Sequence, residues 1–411
     1  MTIEEHTGAS LPAAVRSTAE DSLQVLLNSA AQAQFPGPAR STEPLQVHRK
    51  LPGYAPTALV SCPGLAGQLG VGAVWAKDES WRLGLPSFKV LGASYAICRL
   101  LTERLGGDVD WDTVDDLRAA LARLRPFALS AATDGNHGRA VARMARLLGA
   151  AARIYVPEGT APVRIAAIES EGAAVSVVAG DYESAVRRSA EDASETCFVV
   201  SDTSWPGYTS TPTWVSEGYS TIFAEVTEQL AEAGAGVPDL VVIPVGVGAL
   251  ASAVIRHYKA APGGRSPFLI GVEPAAADCV LESLREGHPV TVPGPHPSIM
   301  AGLNCSTPSL IAWPFLTTGL DAMLAIGDGW ARRAMRALAA EGIVAGETGA
   351  AALGGLFALC ETAQGAQARA AARLGPGTSV LLLCTEGATD PQAWEEIVGH
   401  PPPAAHQTGV S

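Results

Sequence analysis

Lysine is scarce in this sequence, and positive charge as a whole is in deficit. Only four lysines occur among 411 residues, and 41 acidic side chains outnumber 28 basic ones to give a formal net charge of −13. Binding to nucleic acid or to an anionic membrane surface depends on clustered cations. The composition therefore argues against both kinds of partner.

Several sequence patterns are also missing. The seven cysteines form no CxxC pair, and no HxxxH or HExxH motif occurs, so no metal site of the zinc type is predicted. The first residues lack both the basic segment and the apolar segment of a secretory signal. No apolar run reaches membrane-spanning length. We therefore expect a cytoplasmic protein whose cysteines are reduced.

Short apolar segments rich in β-branched residues alternate with helical segments from about residue 70 to residue 385. The strongest predicted strand covers residues 239–245, in a chain that is 47% hydrophobic and 17% charged. Continuous apolar strands between helices indicate a mostly parallel α/β sheet with helices on both faces. The two ends, residues 1–20 and 400–411, are expected to fray.

Three loops are predicted to meet at the carboxyl ends of strands, where open α/β sheets bind ligands. They cover residues 133–138, 246–249 and 384–389. The loop 246–249 reads GVGA before a helix, so its backbone N–H groups could hold a phosphate. GVGALA also fits a dinucleotide fingerprint with Glu273 as its acidic residue, so a nicotinamide dehydrogenase and a loop without ligand both remain alternatives.

Lys89 differs from the other lysines in its surroundings. Lys77 ends a strand, and Lys259 is expected in the exposed last turn of a helix, whereas Lys89 lies between Phe88 and Val90 at a helix start. Apolar neighbours and a helix N-terminus both disfavour an ammonium group, so we expect a lowered pKa, as a Schiff-base lysine requires. An ordinary lysine at a helix start is the alternative.

A set of ordered motifs resembles one known family. The chain contains, in this order, HRKLPGYAPTAL, VWAKDESWRLGLPSFKVLGASYA, ATDGNHGRAVA, SDTSWPGYTSTPTWVSEGY, PVGVGALASAV, IGVEP, IMAGLNC, GETGAAALGGL and LLLCTEGATDP. Over about residues 45–392 these motifs are similar to those of the diaminopropionate ammonia-lyases, fold-type II pyridoxal-phosphate enzymes of the tryptophan synthase β family. The lysine, asparagine and glycine-loop motifs are shared with serine and threonine dehydratases.

The resemblance implies a fold and an assembly. Two doubly wound parallel-sheet domains would hold the cofactor, pyridoxal 5'-phosphate, in the cleft between them. Residues 1–92 and 215–411 would form the large cofactor-binding domain, and residues 93–214 the small α/β domain. The protein would be a homodimer, with a small amino acid as its substrate.

The resemblance also assigns the residues that bind the cofactor. Lys89 would bind it covalently, Asn136 would hydrogen-bond its phenolic oxygen, and Thr385 or Cys384 would meet its pyridine nitrogen. The phosphate would lie on the loop formed by Gly246, Val247, Gly248 and Ala249. Glu347 would lie near the cofactor ring, and His137 would have a structural role at a helix start.

Two aspartates carry the implied chemistry. Asp134 would remove the α-proton of a D-substrate and Lys89 that of an L-substrate, while Asp202 would orient the second amine. Taken alone, Asp134 is a typical turn residue before glycine, and Asp202 could be a helix or turn cap. The reaction implied is the α,β-elimination of ammonia from 2,3-diaminopropionate, giving pyruvate and ammonia.

Other functions remain open at this point. They are a serine/threonine-type dehydratase, a β-replacement enzyme, and a family member without catalytic activity. Three features depart from the family pattern: Ala93, the segment CSTPSL at residues 305–310, and Ala388. The resemblance places Cys279 and Cys305 near the site, where a disulfide is conceivable but is not expected in a reducing cytoplasm.

Overall fold

The computed structural model describes residues 19–35, 41–107, 109–260 and 265–403, and these ranges form two β-sheets with helices packed on them. Most of the two segments expected to fray, residues 1–18 and 404–411, lies outside the described residues. None of the helices in the described ranges has both the length and the apolar character needed to cross a membrane.

The larger sheet has seven strands in the order β1-β10-β9-β8-β11-β3-β2. Its inner strands are parallel, whereas the edge strands β1 and β2 run antiparallel to their neighbours. The strands are β1 (Leu23–Leu27), β2 (Leu59–Ser61), β3 (Ala73–Asp78), β8 (Leu240–Pro244), β9 (Phe268–Pro274), β10 (Ala322–Ile326) and β11 (Ser379–Cys384).

The smaller sheet has four strands in the order β6-β5-β4-β7, all parallel. They are β4 (Ala128–Ala132), β5 (Ala151–Pro157), β6 (Ala174–Val178) and β7 (Cys197–Val199). The predicted fold class, with two parallel-sheet units and helices between the strands, is confirmed. The limits of residues 93 and 214 for the small domain stay a prediction, and the first of them falls within a helix that begins at Lys89.

Helices connect the strands and cover both sheets. They are α1 (Glu43–Arg49), α2 (Pro63–Leu69), α3 (Lys89–Arg104), α4 (Val114–Ala120), α5 (Asn136–Leu148), α6 (Pro162–Glu169), α7 (Tyr182–Ala190), α8 (Ser210–Gly218), α9 (Ser220–Glu232), α10 (Ala249–Lys259), α11 (Cys279–Glu286), α12 (Trp313–Gly319), α13 (Asp328–Ala340), α14 (Ala351–Glu361), α15 (Ala366–Ala371) and α16 (Pro391–Val398).

Alternate residues of the central strands enter two different hydrophobic cores. In β8, Leu240 and Val242 belong to the core on one face of the larger sheet, and Val241 and Ile243 belong to the core on the other face. Side chains of a strand point alternately to its two faces, so a strand covered on both sides must be apolar at every position. This explains the uninterrupted apolar segment in the sequence.

Lys259 is buried, contrary to the expectation of an exposed helix end. Its side chain is only 1% exposed, and Nζ donates to both carboxylate oxygens of Asp321 at 2.9 Å. Asp321 precedes β10 and also accepts a hydrogen bond from the backbone of Leu269 at 2.7 Å. The expectation is wrong because a partner distant in sequence lets the charged end of α10 lie inside the protein.

Four charged side chains form a buried network between β3 and α9. Glu225 accepts hydrogen bonds from Lys77 Nζ and from Arg82 Nη1, each at 2.7 Å. Arg82 Nε also donates to Glu79 Oε2 at 2.8 Å. Each of the four residues is at most 1% exposed, and the two positive charges match the two negative ones. The positive and negative charges of the network therefore neutralise one another in a region where water does not hydrate them.

Substitution of Glu225 by Gln should destabilise the protein. The change keeps the shape of the side chain but leaves Lys77 and Arg82 facing a single carboxylate. Because an uncompensated buried charge is costly, we expect the free energy of unfolding to fall by about 3–5 kcal/mol. Urea unfolding followed by circular dichroism measures it. Glu232→Gln, an exposed change on the same helix, is the control, and equal midpoints for the two variants would contradict the prediction.

Candidate active site

A cavity of about 690 Å³ is lined by loops from both sheets. Residues after β4 and β7 line it from the smaller sheet, and residues after β8 and β11 line it from the larger one, so the three predicted loops do meet. The predicted site residues that line it are Lys89, Asp134, Asn136, Asp202, Gly246, Val247, Gly248, Ala249, Glu347 and Thr385.

Lys89 is the first residue of α3 and extends into the cavity. Its Nζ lies 2.7 Å from Asp202 Oδ2 and 5.6 Å from the centre of the Phe88 ring. Burial alone would lower the pKa of Lys89, but the negative charge of Asp202 outweighs burial and raises it above the ordinary value. The expected depression of this pKa is therefore wrong for the chain without a ligand, because the carboxylate partner is invisible in the local sequence.

Asp202 follows β7 and accepts hydrogen bonds from two directions. Besides Lys89, the hydroxyl of Tyr182 donates to Oδ1 at 3.3 Å. Burial would raise the pKa of Asp202, but the charge and hydrogen bond of Lys89 hold it well below its usual range. Asp202 is thus anionic at neutral pH. His137 lies behind it, with Nδ1 4.0 Å from Oδ2 and Nε2 2.8 Å from the carbonyl oxygen of Val200.

The pKa of Asp134 is shifted in the opposite direction from that of Asp202. Burial raises its pKa above the ordinary value, although the charges of Arg164 and Lys89 work in the other direction. Two aspartates in one cavity therefore differ, since one is fixed as a carboxylate and the other takes up a proton more readily. Such a separation of pKa values is typical of acid and base groups in active sites.

The glycine loop after β8 fits a phosphate group. Gly248 has φ +98°, a left-handed conformation that favours glycine, and the loop leads into the eleven-residue helix α10. At Gly246 a Cβ atom would lie 3.2 Å from the carbonyl oxygen of Gly302 and 3.1 Å from Cys305 Sγ, so the loop packs closely against this neighbouring segment. A helix N-terminus with exposed N–H groups is a common anion site.

Thr385 and Glu347 each present a buried oxygen atom without a partner. Thr385 Oγ1 and Glu347 Oε2 form no hydrogen bond within the described residues, although both side chains line the cavity. Burial, followed by the charge of Glu386, raises the pKa of Glu347 to about 7. A bound group with matching donors and acceptors would satisfy both atoms. With Lys89 and the glycine loop they fit the pyridoxal phosphate that the resemblance implies.

Cys384, the alternative to Thr385, is placed elsewhere. Its side chain belongs to a hydrophobic core of the larger sheet, and burial raises its pKa well above the ordinary value. Cys384 is not among the described residues that line the cavity. Thr385, the residue after the end of β11, is the one of the two that lines the cavity.

The cavity-lining residues that sequence reasoning missed include Tyr182, Arg164 and Glu386. Glu386 accepts a hydrogen bond from the side-chain amide of Asn136 and another from the backbone of Thr348 at 3.2 Å. Burial raises the pKa of Glu386 above its ordinary value. Tyr182 and Glu386 both follow parallel strands closely, which was the available signal. Arg164 on α6 gave no comparable signal.

Of the two cysteines that the resemblance places near the site, Cys305 lines the cavity and Cys279 packs in a hydrophobic core. Both are free thiols. Ala93 and Ala388 are absent from the described cavity lining, and Ala93 packs in the core of the smaller sheet. In the departing segment 305–310, Cys305 and Ser306 do line the cavity.

Glu273 does not serve a nucleotide in this fold. Its two carboxylate oxygens accept hydrogen bonds from the backbone N–H groups of Val280 at 3.1 Å and Leu281 at 2.8 Å, near the start of α11. The side chain is fully buried. The carboxylate that the dehydrogenase alternative requires for nucleotide binding is therefore already hydrogen-bonded to the N-terminus of α11.

Asp202→Asn should lower the pKa of Lys89 in the cofactor-free protein. Removal of the carboxylate takes away the main influence that opposes burial. Reductive ¹³C-methylation followed by a pH titration in the NMR spectrum can resolve the chain's four lysines. Asp115→Asn, an exposed change on α4, should leave the Lys89 titration in place. An unchanged pKa in Asp202→Asn would show that the ion pair does not form in solution.

Comparison with known proteins identifies the family. The profile described as "Pyridoxal-phosphate dependent enzyme" matches residues 50–386. The diaminopropionate ammonia-lyase of Escherichia coli is 38% identical over 86% of this chain and 89% of its own length, and that of Salmonella typhimurium is 35% identical over 87% and 91%.

The solved structures agree with this result. The crystal structure of the E. coli diaminopropionate ammonia-lyase in complex with D-serine superposes with a TM-score of 0.85 at 34% identity, covering 92% of this chain and 97% of that one. Fold and sequence thus agree over nearly the whole length. Because the family profile covers residues 50–386 and both relatives match over most of their own length, the chain belongs to the diaminopropionate ammonia-lyase family of pyridoxal-phosphate dependent enzymes.

Proposed function

We propose that the chain uses pyridoxal phosphate to eliminate ammonia from 2,3-diaminopropionate, with pyruvate and a second ammonia as the final products. The observation that carries this proposal is the similarity to two diaminopropionate ammonia-lyases over most of both chains. The cavity supports it, because Lys89 lies beside an anionic aspartate and near a second aspartate of raised pKa.

The cofactor, when bound, withdraws electrons from the substrate's α-carbon and so makes its proton removable. We propose that Lys89 binds it covalently and that the N–H groups of Gly246 to Ala249 hold its phosphate. Thr385 Oγ1 would hydrogen-bond the pyridine nitrogen, and Asn136 the phenolic oxygen. A hydroxyl group cannot stabilise a protonated pyridine nitrogen as a carboxylate would. The ring then withdraws fewer electrons, which favours elimination over reactions that need a long-lived carbanion.

Asp202 is proposed to bind the substrate's β-ammonium group. In the chain without ligand, an ammonium group already lies against this carboxylate, namely Nζ of Lys89 at 2.7 Å from Oδ2. A substrate ammonium group offers the same charge and the same donors. An amine leaves as neutral ammonia only if it is protonated, so a carboxylate that keeps the proton on the β-nitrogen assists its departure.

Asp134 and Lys89 are proposed to remove the α-proton from opposite isomers, Asp134 from the D-isomer and Lys89 from the L-isomer. Burial raises the pKa of Asp134, which makes its carboxylate a stronger base than an exposed aspartate. Arg164 and Lys89 restrain that rise and keep the carboxylate form accessible.

We also propose that the protein is a homodimer and acts in the cytoplasm. The family resemblance supports the first of these statements. The second is supported by the seven cysteines, which are all free in the structure. Free thiols are typical of proteins in reducing compartments.

Purified enzyme with its cofactor should release pyruvate from D- and L-2,3-diaminopropionate faster than it releases pyruvate from serine or 2-oxobutyrate from threonine. The reason is that the carboxylate of Asp202 favours a leaving group with a positive charge, and a hydroxyl group has none. Derivatisation with dinitrophenylhydrazine measures both 2-oxo acids. Faster release from serine or threonine would favour the dehydratase alternative, and a lack of 2-oxo acid from all four substrates would contradict the proposal.

Asp134→Asn should reduce turnover of the D-isomer by about 100-fold or more while largely sparing the L-isomer, because a general base contributes about 10²–10⁴ in rate.

In the wild type, the D-isomer rate should fall as the pH drops through a pKa above that of an ordinary aspartate, since only the carboxylate form accepts the proton. Rates for each isomer between pH 5 and pH 9 test both expectations. Asp115→Asn is the exposed control, and equal loss on both isomers would refute the assigned role.

A further inference from the structure

Lys89 cannot act as the proposed base while it is paired as the structure shows. Its Nζ lies 2.7 Å from Asp202 Oδ2, and the negative charge of that carboxylate outweighs burial and raises the pKa of Lys89. A base that takes the α-proton of the L-isomer must present a neutral amine with a free electron pair. When Asp202 receives the substrate's β-ammonium group, the buried amine of Lys89 needs another polar partner close by.

Tyr219 has a hydroxyl group that is available for this purpose. The residue lies between α8 and α9, it is among those that line the cavity, and it is fully buried. Within the described residues its hydroxyl oxygen forms no hydrogen bond. Because this oxygen is already removed from water, an amine that reaches it gains a hydrogen bond without a further desolvation cost to the hydroxyl group.

Close packing places the hydroxyl end of Tyr219 on the face of α3 that carries Lys89. A Cβ atom added at Gly92 would lie 2.5 Å from Tyr219 Cε1 and 2.7 Å from Cζ, the carbon that bears the hydroxyl group. Gly92 follows Lys89 by three residues in α3, and residues three apart share a face of a helix. The centre of the Phe88 ring lies 4.6 Å from that of Tyr219 and 5.6 Å from Lys89 Nζ. Lys89 and the hydroxyl group of Tyr219 are therefore neighbours.

The two neighbours of Lys89 differ in charge. Asp202 is anionic, whereas burial raises the pKa of Tyr219 above its ordinary value, with the charge of Lys89 opposing the rise. The hydroxyl group of Tyr219 therefore stays uncharged at neutral pH. A carboxylate stabilises the ammonium form of a lysine much more than an uncharged hydroxyl group does, so a move of the amine from Asp202 to Tyr219 lowers the pKa of Lys89.

We infer that Tyr219 is the second partner of Lys89, and that its hydroxyl oxygen accepts a hydrogen bond from Nζ once the substrate's β-ammonium group occupies Asp202. This step rests on the proposed function. The hydrogen bond limits rotation of the amine and keeps the electron pair of its nitrogen available to the α-hydrogen of the L-isomer. Tyr219 is thus a positioning residue for Lys89, and proton removal by Asp134 does not depend on it.

Tyr219→Phe tests the inference on the two isomers of diaminopropionate. In the holoenzyme, kcat for the L-isomer should fall roughly 3- to 10-fold, as expected for one lost hydrogen bond. KM for that isomer and both constants for the D-isomer should stay nearly unchanged. Tyr258→Phe removes another buried tyrosine hydroxyl group, on α10 and outside the described cavity lining, and should keep the wild-type ratio of L- to D-turnover. An unchanged kcat for the L-isomer, or equal losses on both isomers, would overturn the inference.

Loss of the hydroxyl group should not weaken the fold. The phenylalanine ring keeps the contacts with Phe88 and Gly92, and the hydroxyl oxygen forms no hydrogen bond within the described residues. The urea midpoint of cofactor-free Tyr219→Phe should therefore equal or exceed that of the wild type. A lower midpoint would show that the hydroxyl group already has a structural partner, which would also overturn the inference.

Titration of Lys89 in the cofactor-free protein, by the ¹³C-methyl NMR method, separates this inference from the proposed function. Asp202→Ala leaves neither charge nor acceptor at that position, so the amine should turn to Tyr219. Addition of Tyr219→Phe should then lower the pKa of Lys89 further, whereas Tyr219→Phe alone should leave it nearly unchanged.

That pattern of pKa values supports the inference even if the enzyme releases no 2-oxo acid from diaminopropionate, a result that would defeat only the proposed function. Equal pKa values of Lys89 in Asp202→Ala and in the double variant would overturn the inference whatever the enzyme turns over.

Discussion

The ion pair between Lys89 and Asp202 connects the two sheets of this protein. Lys89 begins the helix that follows β3 of the larger sheet, and Asp202 follows β7 of the smaller one. Only 22% of the lysine side chain and 7% of the aspartate side chain are exposed, so neither charge is well hydrated and each depends on the other. The ion pair therefore joins loops of the two sheets at the cavity and keeps both charges balanced there.

The ionisation of the surrounding groups follows from that contact. Asp202, paired with a cation, keeps a low pKa, whereas burial raises the pKa of Asp134, Glu347 and Glu386, which lack so close a cationic partner. One permanent carboxylate stands among several that can take up a proton. A substrate with two amines and one acidic carbon needs both kinds of group, and low local polarity makes the difference between them large.

The sequence was sufficient for the fold class, because apolar strands alternating with helices are a local pattern. The three predicted loops meet in one cavity, and Lys89 and Asp134, which the family resemblance assigned to the site, line it. The sequence did not predict the properties of side chains whose interaction partners are distant along the chain. The pKa of Lys89 is controlled by a residue 113 positions away, and Lys259 is buried through one 62 positions away. Arg164 lies on a helix whose place in the cavity only the packing of α6 reveals.

The buried network of Lys77, Arg82, Glu79 and Glu225 restricts how this sequence can change. Its charges cancel within a region closed to water, so replacement of any one member leaves an excess charge that the others cannot neutralise. Replacement of one acid together with one base would restore neutrality. A screen of single substitutions would therefore find that these four positions tolerate no change of charge. A screen of paired substitutions, one acid with one base, would find that they do.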